Sequence, residues 1–187
     1  MRVSALCCIC VLLLMGCSSV KTHNAKHGQQ LSQQQRLDIK QWKMQGRLLI
    51  KSDDVLTANV HWQHNQQEDI LKLSGALGFG AMLIELSEDE IVLHNAQGER
   101  QSARDIDAFI ARQIGFIVPI TALRQWVIGA YLQGVPVEQM ANGFEQLGWL
   151  VAYNEYMDTP AGVMPRSIKV TKGNIQLKLI VDQWEIE

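Results

Sequence analysis

Hydrophobic and polar residues alternate with a period of two along much of the chain. In the clearest run, Leu56, Ala58, Val60 and Trp62 are separated by polar residues. Because successive side chains of a β-strand point to opposite faces, this run predicts a half-buried strand. The same alternation recurs at Leu48 and Ile50; Leu71 and Leu73; Met82, Ile84 and Leu86; Ile91 and Leu93; Trp149, Val151 and Tyr153; Ile168 and Val170; and Ile175, Leu177, Leu179 and Val181. The chain is therefore predicted to be mainly β.

Short polar segments separate these runs. They lie at 53–54, 65–67, 87–89, 95–98 and 172–174, and each contains Asp, Asn, Ser or Gly, which are the residues that favour turns. Strands that follow one another through such short turns pair antiparallel, with one face exposed to water and one face buried.

A helical period replaces the alternation between the two groups of strands. Ile106, Phe109, Ile110 and Ile114 recur at the spacing of one helix face. Ser102 precedes this run, and its hydroxyl is predicted to cap the first turn of the helix.

A second short helix is predicted after Pro119. Leu123, Trp126 and Val127 lie on one face of it, and Gly129 marks its end. One twisted sheet and two helices bury their apolar faces when the sheet curls and the helices cover it. The predicted fold is therefore α+β and mainly β: an antiparallel curled sheet that forms an incomplete half-barrel, covered by a helical lid.

The inner face of this half-barrel is predicted to be strongly apolar. A solid core and an apolar cavity need the same hydrophobic pattern, so periodicity alone leaves both alternatives open. If a cavity is present, its candidate lining residues are Trp62, Met82, Ile84, Trp126, Trp149, Tyr153, Leu177 and Leu179.

One predicted loop has an unusual composition for a turn. Leu77 and Phe79 stand among the glycines Gly75, Gly78 and Gly80, where Asn, Asp or Ser would be ordinary. The two apolar side chains either fold back into the core or project from the domain, and a projecting pair is a candidate contact with lipid or with a partner.

The first residues are typical of an export signal. Arg2 precedes an apolar run from Val3 to Met15, which is too short to cross the roughly 30 Å hydrocarbon core of a bilayer, so a retained membrane-spanning anchor is the weaker alternative. Gly16-Cys17 at the end of this run resembles the lipobox of bacterial lipoproteins. We therefore expect removal of residues 1–16 and lipidation of Cys17, which would leave one cysteine and no disulfide in the mature chain.

Residues 17–40 are predicted to form a flexible tether, because they are rich in Gln, Ser, His and Lys and poor in large apolar residues. From Leu31 onward a short helix is the alternative. Residues 41–187 are long enough for a single domain with its own core. The formal charge of −2, evenly scattered, does not favour a nucleic-acid partner.

Catalysis and metal binding have weak support in the sequence. His61 and His64 would point to opposite faces of a strand, so they are poorly placed to share a metal. No G-x-S-x-G or comparable nucleophile motif occurs. We predict neither enzymatic activity, nor a metal, nor a cofactor.

Several short motifs resemble, in their order along the chain, the LolB family of outer-membrane lipoprotein receptors. Each motif is weak alone, and their order together with the lipobox makes the resemblance specific. They are Gly75-Ala76-Leu77-Gly78, residues 119–123, Trp126-Val127-Ile128-Gly129, residues 144–149, Met164-Pro165-Arg166 and residues 175–184.

This resemblance implies an eleven-stranded half-barrel whose cavity holds the acyl chains of lipoproteins. The family receives its cargo from the periplasmic carrier LolA and inserts it into the inner leaflet of the outer membrane without ATP. By the same resemblance, Leu77 takes part in membrane insertion, and the protein is a monomer that is held at the periplasmic face of the outer membrane by its lipid anchor.

A second function stays open from the sequence alone. A solid β-domain anchored through Cys17 would serve as an envelope scaffold that binds no acyl chain. The two hypotheses differ in whether the inside of the half-barrel is hollow.

Overall fold

The computed structural model describes residues 29–75 and 81–187. Three helices and eleven strands follow one another along the chain. They are α1 (Gln33–Leu37), β1 (Trp42–Lys51), β2 (Val55–His64), β3 (Asp69–Ser74), β4 (Met82–Leu86), β5 (Ile91–His94), β6 (Arg100–Ala103), α2 (Ile106–Ile114), α3 (Ile120–Val127), β7 (Val137–Met140), β8 (Gly143–Gln146), β9 (Trp149–Thr159), β10 (Gly162–Lys172) and β11 (Ile175–Ile186).

All eleven strands form one antiparallel sheet in the order β6-β5-β4-β3-β2-β1-β11-β10-β9-β8-β7. Two meanders, β1 to β6 and β7 to β11, are joined where β1 pairs with β11. Within the described residues β6 and β7 are the two edges, so the sheet curls without closing. The predicted fold class, a mainly β half-barrel with helices, is confirmed.

A bulge at the centre of the sheet sharpens this curl. The register between β1 and β11 shifts between Gln45 and Gly46. A Cβ atom at Gly46 would lie 2.2 Å from the carbonyl oxygen of Ile180, so only glycine fits at this position.

Helix α2 begins later than the sequence predicted. Its N-cap is Asp105, whose carboxylate accepts a hydrogen bond from the backbone N–H of Ala108 at 3.0 Å. Ser102, the predicted cap, lies in β6 opposite Val92. Pairing of the short edge strand β6 with β5 therefore takes precedence over the local capping signal.

The three short strands β6, β7 and β8 were not predicted from alternation. Each has only four residues, and β6 and β7 are exposed along most of their length. The edge strands β6 and β7 bury little apolar surface, and one of the two inward residues of β8 is the polar Gln146, so none of the three shows a clear hydrophobic alternation.

The segment before β1 packs on the domain. Ser32 and Gln35 form a capping box at the start of α1, which confirms the helix alternative after Leu31. Arg36 is only 4% exposed and donates hydrogen bonds to the backbone oxygens of Ile128 at 2.6 Å and Val163 at 3.1 Å. Residues 29–40 therefore belong to the folded body rather than to the tether that was predicted over 17–40.

Part of the sequence prediction lies outside the described residues. The signal segment 1–16, Cys17, and the loop residues Leu77, Gly78 and Phe79 are in this category. Within the described part of the chain, no helix is long and apolar enough to cross a membrane.

Candidate functional site

An apolar cavity lies between the concave face of the sheet and the helices α2 and α3. Its volume is about 150 Å³. The inward positions of strands β1 to β5, β10 and β11 form its walls, and one face of each helix covers it. The lining residues are Met44, Leu48, Ile50, Val60, Trp62, Leu71, Leu73, Met82, Ile84, Ile91, Leu93, Phe109, Ile110, Gln113, Ile114, Val118, Ile120, Leu123, Val127, Ile168, Val170, Leu177 and Leu179.

Gln113 is the one polar residue in this lining. Its amide donates a hydrogen bond to the side-chain oxygen of Gln101 on β6, at 3.3 Å. A cavity with so few hydrogen-bonding groups suits a hydrocarbon ligand, because a polar ligand would lose its hydrogen bonds to water without replacement.

Five of the eight predicted lining residues meet at this cavity. They come from three separate strands, β2, β4 and β11, because alternate positions of each strand point inward. The five are Trp62, Met82, Ile84, Leu177 and Leu179. The strand pattern therefore placed these side chains on the correct face.

The other three predicted residues lie in the solid part of the core beside the cavity. Trp126 is fully buried and donates its indole N–H to the side-chain oxygen of Gln146 at 3.1 Å. Tyr153 donates its hydroxyl to the backbone oxygen of Trp126 at 2.7 Å, and Trp149 is 2% exposed beneath Lys172. The polar atoms of Trp126 and Tyr153 bind neighbouring groups, and a hollow site would leave those atoms unpaired.

Apart from Trp126, which lies in the solid core, the sequence did not single out residues on the helical side of the cavity. Phe109, Ile110 and Ile114 of α2 and Leu123 and Val127 of α3 line it. The signal was present, because these residues are the apolar stripes that predicted the two helices. What periodicity does not provide is the distance between the helices and the sheet.

A buried ionic network fixes α3 to the strands next to the cavity. Asp69 is fully buried at the start of β3, and its carboxylate forms an ion pair with Arg124 of α3. The same carboxylate accepts a hydrogen bond from the indole N–H of Trp62 at 2.8 Å and lies 3.0 Å from Nδ1 of His64. Trp62, a lining residue, is thereby held in one orientation.

Two buried groups near α3 have shifted pKa values. Burial raises the pKa of Tyr153, and the neighbouring Tyr156 raises it further. Burial lowers the pKa of Arg36. Both shifts reflect the low polarity of the region where α1, α3 and β9 meet.

The glycine-rich loop is joined directly to the cavity wall. Leu73 and Met82 are paired across β3 and β4 and both line the cavity. Gly75, exposed with a φ of 89°, begins the connection between them. The end of the β3–β4 hairpin therefore lies at the cavity wall.

Over residues 29–75 and 81–187, no group of three or more His, Cys, Asp or Glu side chains is placed to hold a metal ion.

The sequence profile of one family, described as "Outer membrane lipoprotein LolB", matches residues 40–184. This range contains every residue that lines the cavity. The chain belongs to the LolB family.

Individual LolB proteins agree with this assignment. The outer-membrane lipoprotein LolB of Halorhodospira halophila is 24% identical over 94% of this chain and 91% of its own length. The LolB of Azoarcus sp. is 33% identical over 70% of each chain. The resemblance seen in the sequence is confirmed.

Among solved structures, a DUF1329 family protein from Desulfovibrio piger has a similar fold. The TM-score is 0.53, and the match covers 83% of this chain and 89% of that protein. At 6% sequence identity the likeness concerns the fold alone.

Proposed function

We propose that this LolB-family protein receives lipoproteins from the periplasmic carrier LolA, holds their acyl chains in the apolar cavity, and inserts them into the inner leaflet of the outer membrane. The observation that carries the proposal is a half-barrel whose interior is hollow and lined by hydrocarbon side chains with Gln113 as the exception. A scaffold domain would have no need of such a space.

The free energy of exposing acyl chains to water explains why such a protein is needed. Each acyl CH₂ group exposed to water costs about 0.8 kcal/mol, so two or three long chains cost on the order of tens of kcal/mol. Acyl chains therefore cross an aqueous gap only when a protein buries them. A receiver takes them from a carrier without ATP if it binds them more favourably than the carrier does.

The cavity must widen to accept this cargo. Its volume of about 150 Å³ is below the roughly 300–1,000 Å³ of typical ligand pockets. Methionine and leucine side chains along its walls, such as Met44, Met82 and Leu179, adapt readily to chains of different length. The open sheet edges and the apolar contacts of α2 allow the walls to separate.

The N-terminal segment and the glycine-rich loop complete this role. Residues 1–16 direct export and are removed, Cys17 carries the lipid anchor, and the monomeric domain faces the periplasm. Leu77 and Phe79, between Gly75 and Gly80, enter the membrane when cargo is released. A cavity wall that continues into this loop supports a path from cavity to membrane.

A transfer assay tests the proposal. A soluble form that starts at residue 18 keeps every described residue and lacks the anchor. When it is mixed with LolA loaded with labelled lipoprotein, we expect the label to move to it. If the label stays on LolA under conditions in which the soluble form is folded, the proposal is wrong and the scaffold hypothesis is favoured.

The loop is tested separately in the anchored protein. Leu77→Glu should still accept cargo from LolA, because the role proposed for Leu77 is in insertion and not in cargo binding, but it should deliver little of it into lipid vesicles. Leu147→Glu is the matched control, since Leu147 is a 46% exposed leucine in another turn. Equal delivery by the two variants would exclude Leu77 from the insertion step.

A further inference from the structure

The outer face of the sheet carries a cluster of lysines opposite the cavity. Strands β1, β11 and β10 lie side by side, and Leu49, Lys178 and Lys169 are direct cross-strand neighbours in one row. Lys51 follows two residues after Leu49 and therefore projects from the same face. All three lysines point away from the core.

These lysines are not neutralised. Lys169 and Lys178 face each other directly, and like charges in that arrangement destabilise a sheet. In the described part of the chain, no carboxylate lies within ion-pair distance of Lys51, Lys169 or Lys178. Asp182, which shares this face, is engaged by Arg47 at 3.0 Å. A repulsive pair retained on an exposed face suggests an anionic partner.

A shallow concavity lies beside the lysines. Its volume is about 340 Å³, and it reaches Gly75 at the root of the β3–β4 loop. Arg47, Lys178, Thr57 and Asn59 supply cationic and polar groups, whereas Leu49 and Ile180 supply an apolar floor. Val55, which is paired with Lys51, is 61% exposed. Cationic groups, hydrogen-bond donors and exposed hydrocarbon together match the interface of a lipid bilayer.

We propose that this outer face, defined by Lys51, Lys169 and Lys178, binds the surface of an anionic phospholipid bilayer. A bilayer can bind both the cationic and the apolar groups of this surface. Its phosphate groups neutralise the lysines, and Val55 and Leu49 contact the boundary of the acyl chains. Asp53 and Asp54, in the turn after Lys51, limit the surface at one end. A nucleic acid would leave the apolar groups exposed, and the overall charge of −2 opposes it.

This surface would orient the half-barrel on the membrane. Because the concavity includes Gly75, contact through it brings the end of the β3–β4 hairpin to the bilayer. The inference adds a charge-dependent contact to the proposed function and does not require acyl chains in the cavity.

Vesicle binding by the soluble form that starts at residue 18 tests this surface. Neutral vesicles of phosphatidylcholine are compared with vesicles in which about a third of the lipid is phosphatidylglycerol. We expect tighter binding to the anionic vesicles and weakening of that binding by salt. Lys51→Gln combined with Lys169→Gln and Lys178→Gln should lower affinity for anionic vesicles roughly 100-fold and leave binding to neutral vesicles unchanged.

A matched control removes the same charge elsewhere. Lys40→Gln, Arg104→Gln and Arg112→Gln together change exposed cations that lie off the outer face of the sheet. If this control loses as much affinity as the first triple variant, or if the unmodified protein does not distinguish the two vesicle types, the proposal is wrong. The first triple variant should still accept labelled cargo from LolA, so failure of the membrane surface and failure of the receptor function give different results.

Discussion

Asp69 is the residue on which the arrangement beside the cavity depends most. Its carboxylate joins Arg124 of the lid helix α3 to Trp62 of the cavity wall. The sequence contained a signal for it, because Asp69 shares its inward face with Leu71 and Leu73. An acidic residue on the apolar face of a predicted strand indicates a buried partner, but the sequence alone does not show that the partner is Arg124.

Asp69→Asn should destabilise the fold by about 3 kcal/mol, because it leaves the Arg124 guanidinium without its buried counter-charge. The midpoint of urea unfolding measures this loss. Asp182→Asn removes the exposed ion pair with Arg47 and should cost no more than about 1 kcal/mol. Similar losses in the two variants would contradict the role assigned to the buried pair.

The burial of Tyr153 should make the folded protein less stable at alkaline pH. Its pKa is raised in the folded protein above the ordinary value of 10.0. The contribution of the neutral hydroxyl to stability is therefore fully present below pH 10. It falls as the pH rises above 10, because the tyrosine ionises at lower pH in the unfolded chain than in the folded protein. Urea midpoints measured between about pH 8 and pH 11 should decline.

Tyr153→Phe provides the comparison for this decline. It removes the hydrogen bond to the backbone oxygen of Trp126, so at pH 8 it should be less stable by about 1 kcal/mol. Above pH 10 its stability should fall less steeply than that of the unmodified protein. Parallel pH profiles would show that the buried hydroxyl does not cause the alkaline loss.

At the scale of secondary-structure elements, the two lid helices are attached to the sheet in different ways. Helix α3 is held by the Asp69 ion pair, by the hydrogen bonds of Trp126 and Tyr153, and by Arg36 at its C-terminal end. Helix α2 has its own caps and packs through apolar side chains. Among the described residues, the side-chain hydrogen bond that joins α2 to another element is the one from Gln113 to Gln101 of β6.

Amide hydrogen exchange should therefore separate the helices. We expect the amides of α2 to exchange at least roughly tenfold faster than those of α3, because apolar contacts over a partly empty cavity resist opening less than buried polar bonds do. Mass spectrometry of peptides that span 106–114 and 120–127 measures the difference. Equal protection would mean that the lid moves as one unit.

Elements with a strong period were predictable from the sequence, and the weakly patterned ones were not. The longer strands and both lid helices follow directly from alternation and from helical spacing. The cap of α2 was not predictable in the same way, because Ser102 is drawn into β6 by its pairing with Val92. A capping motif depends on neighbouring residues in the sequence, so it does not show whether the same residue pairs with another strand.

At the scale of the whole molecule, the hollow interior is the property that the sequence left undecided. Whether facing side chains meet or leave a space depends on the curvature of the sheet and on the height of the helices. Trp126 and Tyr153 illustrate this, because their spacing matches that of lining residues and yet they fill the solid part of the core.

Filling the cavity should separate stability from ligand binding. Val170→Phe places a larger side chain in the cavity, so it should weaken binding of a fluorescent fatty acid at least roughly tenfold while stability stays unchanged or rises. Val55→Phe makes the same change at an exposed site and should alter neither property. A loss of stability without a loss of binding in Val170→Phe would argue against the cavity as the ligand site.

The packing of the N-terminal segment has a mechanical consequence. The chain ahead of β1 runs parallel to β10, with Gln30 beside Val163 and the Gln29 carbonyl accepting the Val163 N–H at 2.9 Å. A force applied through the chain before Gln29 would pull along this pairing in shear. The hydrogen bonds of Arg36 would resist it before any force acted on β1. Traction applied through the chain before Gln29 would therefore not peel β1 away from β11.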